Sequence, residues 1–287
     1  MPWASALGAA TPLYWQDLGL KPYLFQLGWF ELRWYSLAYL AGIILAYWHL
    51  SRMLKAPGAP MAQRHADDLF FWCTLGIILG GRIGYATFYA PELWTSLDIF
   101  KLWEGGMSFH GGLIGVLLAI AWVCRSGGLK FLRVADYIAV CVPFGMFFGR
   151  LANFVNGELW GRVAGPNVPW AMVFPGAAGP LPRHPSQLYE AGLEGLTMGI
   201  IMLSLFWLTR ARWRPGLLVG TFAAGIALCR FTVEFFREPD AQLQEFAART
   251  GLSMGQWLTI PLFLTGLFFV IRALTKKPLQ AGAALAA

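Results

Sequence analysis

The sequence predicts an all-α integral membrane protein: seven transmembrane helices, the N-terminus outside, the C-terminus cytoplasmic, and a small periplasmic loop region. Three observations predict it. Of 287 residues, 57% are apolar and 13% charged, against roughly 25% charged in a soluble domain. Apolar runs of about 17 to 22 residues, the length a helix needs to cross a bilayer core, recur along the whole chain. The basic residues then concentrate on alternate connections between those runs. The 14 Trp and 22 Phe suit aromatic belts at both interfaces.

In order, the runs are Trp34 to Leu50, Leu69 to Tyr89, Met107 to Cys124, Val134 to Gly149, Leu188 to Leu208, Gly216 to Phe236 and Met254 to Ile271. Arg52, Lys55 and Arg64 follow the first, Arg125, Lys130 and Arg133 the third, Arg210, Arg212 and Arg214 the fifth, and Arg272, Lys276 and Lys277 the seventh. These four segments hold 12 of the 22 basic residues, and the positive-inside rule places them in the cytoplasm. The net charge of +7 is therefore largely a topology signal, and no nucleic-acid partner is expected.

Residues 1–33 form a periplasmic or interfacial segment, with Trp3, Tyr14, Trp15, Tyr23 and Phe25 set among Gly and Pro. Met1 to Leu20 lacks a basic n-region and a long apolar h-region, so no cleavable signal peptide is expected. The seven-helix domain covers 34–274, and its longest outer connection, about 154–187, is rich in Gly and Pro. A loop longer than about 15 residues is more often functional than idle. Residues 275–287 are a cytoplasmic tail whose Ala281 to Ala287 end is expected to fray. Cys73, Cys124, Cys141 and Cys229 all fall in apolar runs and read as small buried hydrophobes. The histidines His49, His65, His110 and His184 are scattered without an HExxH pattern, so neither a metal nor another cofactor is expected.

Polar residues within the runs are the informative ones, because ionisable groups at membrane depth face a partner or a polar cavity. The fourth run leads outward, and at 1.5 Å per residue Arg150 lies ~21 Å beyond Asp136. The sixth also leads outward, and Arg230 is a similar ~21 Å beyond Gly216. Tyr35 and His110 start inward-leading runs at the same outer level, where Asn153, Glu158, Glu234 and Arg237 also fall. One outer-facing polar site built from at least four helices accounts for them all. Simpler readings exist for most members: Arg230 and Glu234 stand i,i+4 and neutralise each other within one helix, Tyr35 is a belt aromatic, and His110 is a helix-start histidine. Arg82 reads as structural. Arg150 has no acidic residue within a helical turn, so its partner is an anion from elsewhere. A phospholipid phosphate suits that place, since guanidinium forks hold phosphate oxygens bidentately.

The stretch Gly149-Arg150-Leu151-Ala152-Asn153-Phe154-Val155-Asn156-Gly157-Glu158-Leu159-Trp160-Gly161-Arg162 resembles the signature of the bacterial phosphatidylglycerol:prolipoprotein diacylglyceryl transferase family. The stretches Gly80 to Tyr85, Gly105 to Gly112, Arg183 to Glu190 and Arg230 to Asp240 match the same family in order. The resemblance implies transfer of a diacylglyceryl group from phosphatidylglycerol to the lipobox cysteine thiol of a prolipoprotein, with glycerol phosphate released. It implies a multi-pass protein of the bacterial inner membrane whose active site faces the periplasmic leaflet. Arg150 and Arg230 suit neutralisation of the leaving phosphate. His110 is the candidate base for a thiol whose pKa is ordinarily ~8.5; the alternative is that the arginines lower the thiol pKa and His110 positions the headgroup. The resemblance also maps Tyr35, Asn153, Glu158, Gly161 and Glu234 onto positions tied to substrate binding or activity, alongside Arg150. Where the family often has a tyrosine one turn before the arginine of the sixth run, this chain has Ile226.

An anion transporter or lipid flippase is the rival class, since it too places arginines in a membrane cavity, and a non-catalytic lipid-binding scaffold is the third. Transporters often show inverted repeats and paired broken helices at the midplane, whereas no repeat is visible here and the polar cluster is displaced outward.

Overall fold

Among the described residues, seven helices are at least 17 residues long: α1 Trp34–Met53, α2 Gln63–Phe88, α3 Phe109–Ser126, α4 Phe131–Val155, α5 Ser186–Leu208, α6 Leu217–Val233 and α7 Met254–Thr275. The computed structural model describes residues 13–28, 30–102, 105–238 and 249–279. Trp3, the pair Pro239-Asp240 and the tail Ala281 to Ala287, all read from the sequence above, lie outside the described residues. Helices α2, α4, α5 and α7 are long and apolar enough to cross a membrane; α6 and the α3 residues His110–Ser126 are shorter apolar helices. Large apolar side chains face outward from the bundle, as Leu40, Ile44 and Trp48 do along one side of α1. In water such a face is a liability; in lipid it is the expected surface.

Local signals fix the ends. The Ser108 side chain accepts from the Gly111 N–H to open α3, and Ser253 and Gln256 form a reciprocal capping box at α7. Glycines then let helices approach backbone to backbone: a Cβ on Gly80 of α2 would lie 2.3 Å from the Gly111 carbonyl oxygen of α3. Without a hydrophobic driving force between helices in lipid, such small-residue contacts are how they associate. Helices α1 and α4 meet the same way at Gly42 and Gly145.

The apolar core gathers at one end of the bundle, around Met53, Tyr137, Met202, Phe206 and Leu218. There the Asp136 carboxylate accepts from the Gly216 and Val219 N–H groups at 2.7 and 2.9 Å, capping the start of α6. The other end holds the polar residues and two small sheets that the all-α reading did not include. Strand β1 (Leu13–Tyr14) pairs in parallel with β4 (Met172–Val173), and β2 (Tyr23–Leu27) forms a hairpin with β3 (Phe30–Arg33) leading into α1. The β2–β3 pair joins neighbouring segments, whereas β1 pairs with a strand remote in sequence, in the Gly- and Pro-rich 156–185 connection that cannot stay helical and must satisfy its backbone groups elsewhere. Trp15 ties the N-terminal segment down, donating to the Phe154 carbonyl at 2.8 Å and packing with Met172 and Phe174.

Three departures from the sequence reading bear on the site. Helix α4 continues six residues beyond Gly149, so Arg150 sits inside a helix and not at its end. Helix α6 stops at Val233, leaving Glu234 to Phe236 in a turn. Within α5, Ala191–Thr197 adopt π-helical hydrogen bonding, a local widening that recurs at functional positions.

Candidate active site

Three arginines and three glutamates meet at the polar end of the bundle. Arg150 of α4 approaches Glu190 of α5, with Nε 2.6 Å from one carboxylate oxygen. The other oxygen of Glu190 faces Arg230 of α6 and Arg237 beyond it, each at 3.3 Å. Glu194, one turn further along α5, stands 3.7 Å from Arg150 and 3.9 Å from Arg230. Arg230 also pairs with Glu234 at 3.2 Å. The six formal charges cancel.

Depth separates the two signs. The Glu190 and Glu194 side chains are each 1% exposed, whereas those of Arg150 and Arg230 are 23% and 24% exposed. The carboxylates lie behind the guanidiniums, which keep outer edges and unused donors for an incoming anion. Arg237 is the more enclosed arginine, and burial, then the charge of Arg230 beside it, lowers its pKa from the usual arginine value. Like charges are crowded here, and Glu190 offsets them.

Arg150 does meet an anion from elsewhere in the sequence. Its first partners are protein carboxylates, Glu190 and Glu194, contributed by a helix that is remote in sequence. A search within a helical turn of Arg150 could not find them. The signal was present, since two glutamates stood i,i+4 inside the fifth apolar run, a costly placement without a partner. The i,i+4 pairing of Arg230 with Glu234 is real, yet it is one of three carboxylate contacts that Arg230 makes.

Around this cluster the other expected residues fall into distinct places. Asn153, three residues after Arg150 on α4, is 5% exposed and donates to the Glu158 carboxylate at 2.8 Å. Glu158 is exposed and also accepts from Asn156. Tyr35 is half-buried near the start of α1, its hydroxyl 3.2 Å from that of Tyr39 and within electrostatic reach of Glu158 and Arg150. Gly161 touches the protein's own backbone: a Cβ there would lie 2.3 Å from the Phe236 carbonyl oxygen and 2.7 Å from that of His184. It acts by close packing of the outer connection on the turn after α6. His110 is exposed in the first turn of α3, on the helix that packs along α2, whereas the arginine and carboxylate contacts run between α4, α5 and the end of α6. Ile226 packs against the apolar core, so no phenol stands there.

The outer connection is itself well ordered by hydrogen bonds. Leu159 adopts φ +56°, the only positive value for a non-glycine among the described residues. Such strain persists only where neighbours over-determine it, and here the Ser186 hydroxyl donates to the Leu159 carbonyl at 3.0 Å and the Gln187 amide to that of Glu158 at 2.5 Å. Arg183 stacks over Trp160 at 4.2 Å and pairs with Glu238 at 3.0 Å. The Tyr189 hydroxyl accepts from the Trp170 indole at 2.6 Å and is hydrogen-bonded to His184 Nδ1 at 3.1 Å. Burial lowers the His184 pKa from its ordinary value. Arg82 is structural, as the sequence suggests: 7% exposed, it donates to the carbonyls of Asp98, Ile99, Lys101, Gly105 and Gly106 and so holds the turns between α2 and α3.

A family model for prolipoprotein diacylglyceryl transferase matches residues 22–272. The chain belongs to this family. Similar relatives include the phosphatidylglycerol--prolipoprotein diacylglyceryl transferase of Erythrobacter litoralis (strain HTCC2594), 65% identical over 269 residues that cover 94% of this chain and 95% of the relative. Proteins of the same name from Zymomonas mobilis subsp. mobilis and Rhodospirillum rubrum are each 51% identical, covering 94% and 91% of this chain and 97% and 94% of their own lengths. In this diacylglyceryl transferase family member, the matched region runs from the β2–β3 hairpin into α7 and so contains every residue of the arginine–glutamate cluster.

Proposed function

We propose that this chain is a phosphatidylglycerol–prolipoprotein diacylglyceryl transferase, catalysing the first step of bacterial lipoprotein maturation. The observation that carries the reading is the family match over residues 22–272, with relatives of that name aligned over nearly their full lengths. In the reaction the cysteine sulfur bonds to the glyceryl carbon that bears the phosphate, and the carbon–oxygen bond breaks with its electrons left on glycerol phosphate. The substrates are phosphatidylglycerol and a prolipoprotein signal peptide with a lipobox cysteine.

The cluster supplies what this displacement needs. Arg150 and Arg230 present exposed guanidinium edges that would receive the phosphate and neutralise its growing charge, an effect strongest in a dry, preorganised site. His110 would take the thiol proton, or else orient the headgroup while the arginine field favours the thiolate. Asn153, Glu158, Tyr35 and Glu234 would bind glycerol hydroxyls or hold the arginines. All seven helices span the inner membrane, with the polar end periplasmic and the basic connections cytoplasmic. No partner nucleic acid and no cofactor enters this scheme.

The direct test uses purified protein in detergent with phosphatidylglycerol and a lipobox peptide. A thioether-linked diacylglyceryl peptide with equimolar glycerol phosphate is expected. Absence of product in detergent, with lipid or anion movement seen only in sealed vesicles, would give the transporter or flippase reading instead.

A further inference from the structure

We infer that Glu190, backed by Glu194, is a positioning residue for the transfer: it holds Arg150, Arg230 and Arg237 side by side with their free edges turned to one place. The inference rests on the transferase reading above and adds what sets the geometry of its phosphate site.

Three guanidiniums this close repel one another; Arg230 has an i,i+4 carboxylate in Glu234, whereas Arg150 has no carboxylate within a turn of its own helix and Arg237 lies beyond the end of α6. Glu190 supplies the missing constraint. One oxygen takes Arg150 at 2.6 Å and the other takes both Arg230 and Arg237 at 3.3 Å, so a single carboxylate bridges α4, α6 and the turn that follows α6. Glu190 is 1% exposed and cannot itself reach substrate, which separates positioning from contact. Glu194 reaches the same two helices at 3.7 and 3.9 Å from behind.

The backbone is built to bring them there. Glu190 is the last residue before the π-helical turn, and Gly195 within that turn lies against α4 so closely that a Cβ would stand 2.6 Å from the Phe147 Cα. Close approach of α5 to α4 is what lets two short carboxylates span to Arg150.

Neutralising Glu190 therefore has two opposed effects. The site gains a net positive charge, so an anion binds more tightly than before. The guanidiniums lose their common anchor, so they no longer meet the phosphate in the transition-state arrangement, and removal of fixed donors of this kind lowers kcat by ~100-fold or more. A residue that merely supported the fold would not tighten anion binding.

The test measures kcat and glycerol phosphate inhibition for Glu190→Gln in monodisperse detergent-solubilised enzyme, beside wild type and Arg150→Ala. The expected result is kcat down by ~100-fold together with tighter inhibition by glycerol phosphate. A kcat close to wild type, or glycerol phosphate affinity that is unchanged or weaker, overturns the inference. If Glu190→Gln does not yield folded protein, Glu190→Asp decides: the charge is kept but withdrawn by one methylene, so kcat should fall at unchanged glycerol phosphate affinity, and wild-type kcat overturns it. Full activity in Arg150→Ala would defeat the transferase site itself, whereas full activity in Glu190→Gln with an inactive Arg150→Ala defeats only the positioning role.

Discussion

In the proposed mechanism the chemistry turns on Arg150 and His110, and their environments lead to different tests. Arg150→Ala should remove transfer, a loss of ~100-fold or more expected for a donor aimed at developing charge, while the protein still inserts and elutes as a single species. Retained activity in steady-state assays would take Arg150 out of the mechanism. For His110, exposed at the start of α3, the comparison is Asn against Ala substitution over a pH series. A general base predicts loss in both and a displaced pH profile in any residual activity; loss without that displacement assigns positioning. The sequence was a good guide at this scale where a residue was odd on its own helix, as Arg150 was. It was a poor guide to Glu190 and Glu194, because the partner of a buried charge is set by which helices touch, and only α4, α5 and α6 together show it.

At the scale of elements, the lengths of the apolar runs led to helices, four of which, α2, α4, α5 and α7, are long and apolar enough to cross a membrane. They did not show the short strands at the polar end or the π-turn of α5, whose backbone pairing depends on distant partners. That turn makes a prediction of its own. Gly195→Ala places a methyl against the α4 backbone at Phe147, so α5 must shift; thermal stability and kcat should both fall, and unchanged values for both would show the contact to be slack. Arg82→Gln should loosen the turns between α2 and α3, detected as faster proteolysis of 91–106 with α2 and α3 intact. The outer connection carries a pH dependence through His184. Its folded pKa is depressed, so its contribution is complete above the unfolded value near 6.5 and is lost as pH falls through the lower folded value. Thermal unfolding should thus soften at acid pH in wild type and less so in His184→Gln; equal acid sensitivity would place the effect elsewhere.

The whole molecule divides by polarity, with an apolar core at one end and the charge cluster at the other. In the proposed topology the apolar end faces the cytoplasm, so cysteines placed beside Arg212 or Lys276 should react with membrane-impermeant reagents only after the cytoplasmic side is opened. Substitution of Arg210, Arg212 and Arg214 together should disturb insertion and leave the affinity of correctly inserted enzyme for phosphatidylglycerol unchanged. Both ends were implied by the sequence through helix direction, which put Arg150 and Arg230 at one level; their shared contact with Glu190 fits that level. The central claim is that this cluster drives displacement of glycerol phosphate by a thiol. Mass spectrometry of a lipobox peptide incubated with phosphatidylglycerol and either wild type or Arg150→Ala tests it most directly. A diacylglyceryl mass should appear on the cysteine with wild type and none with Arg150→Ala; equal modification by both, or none by wild type, is incompatible with that role.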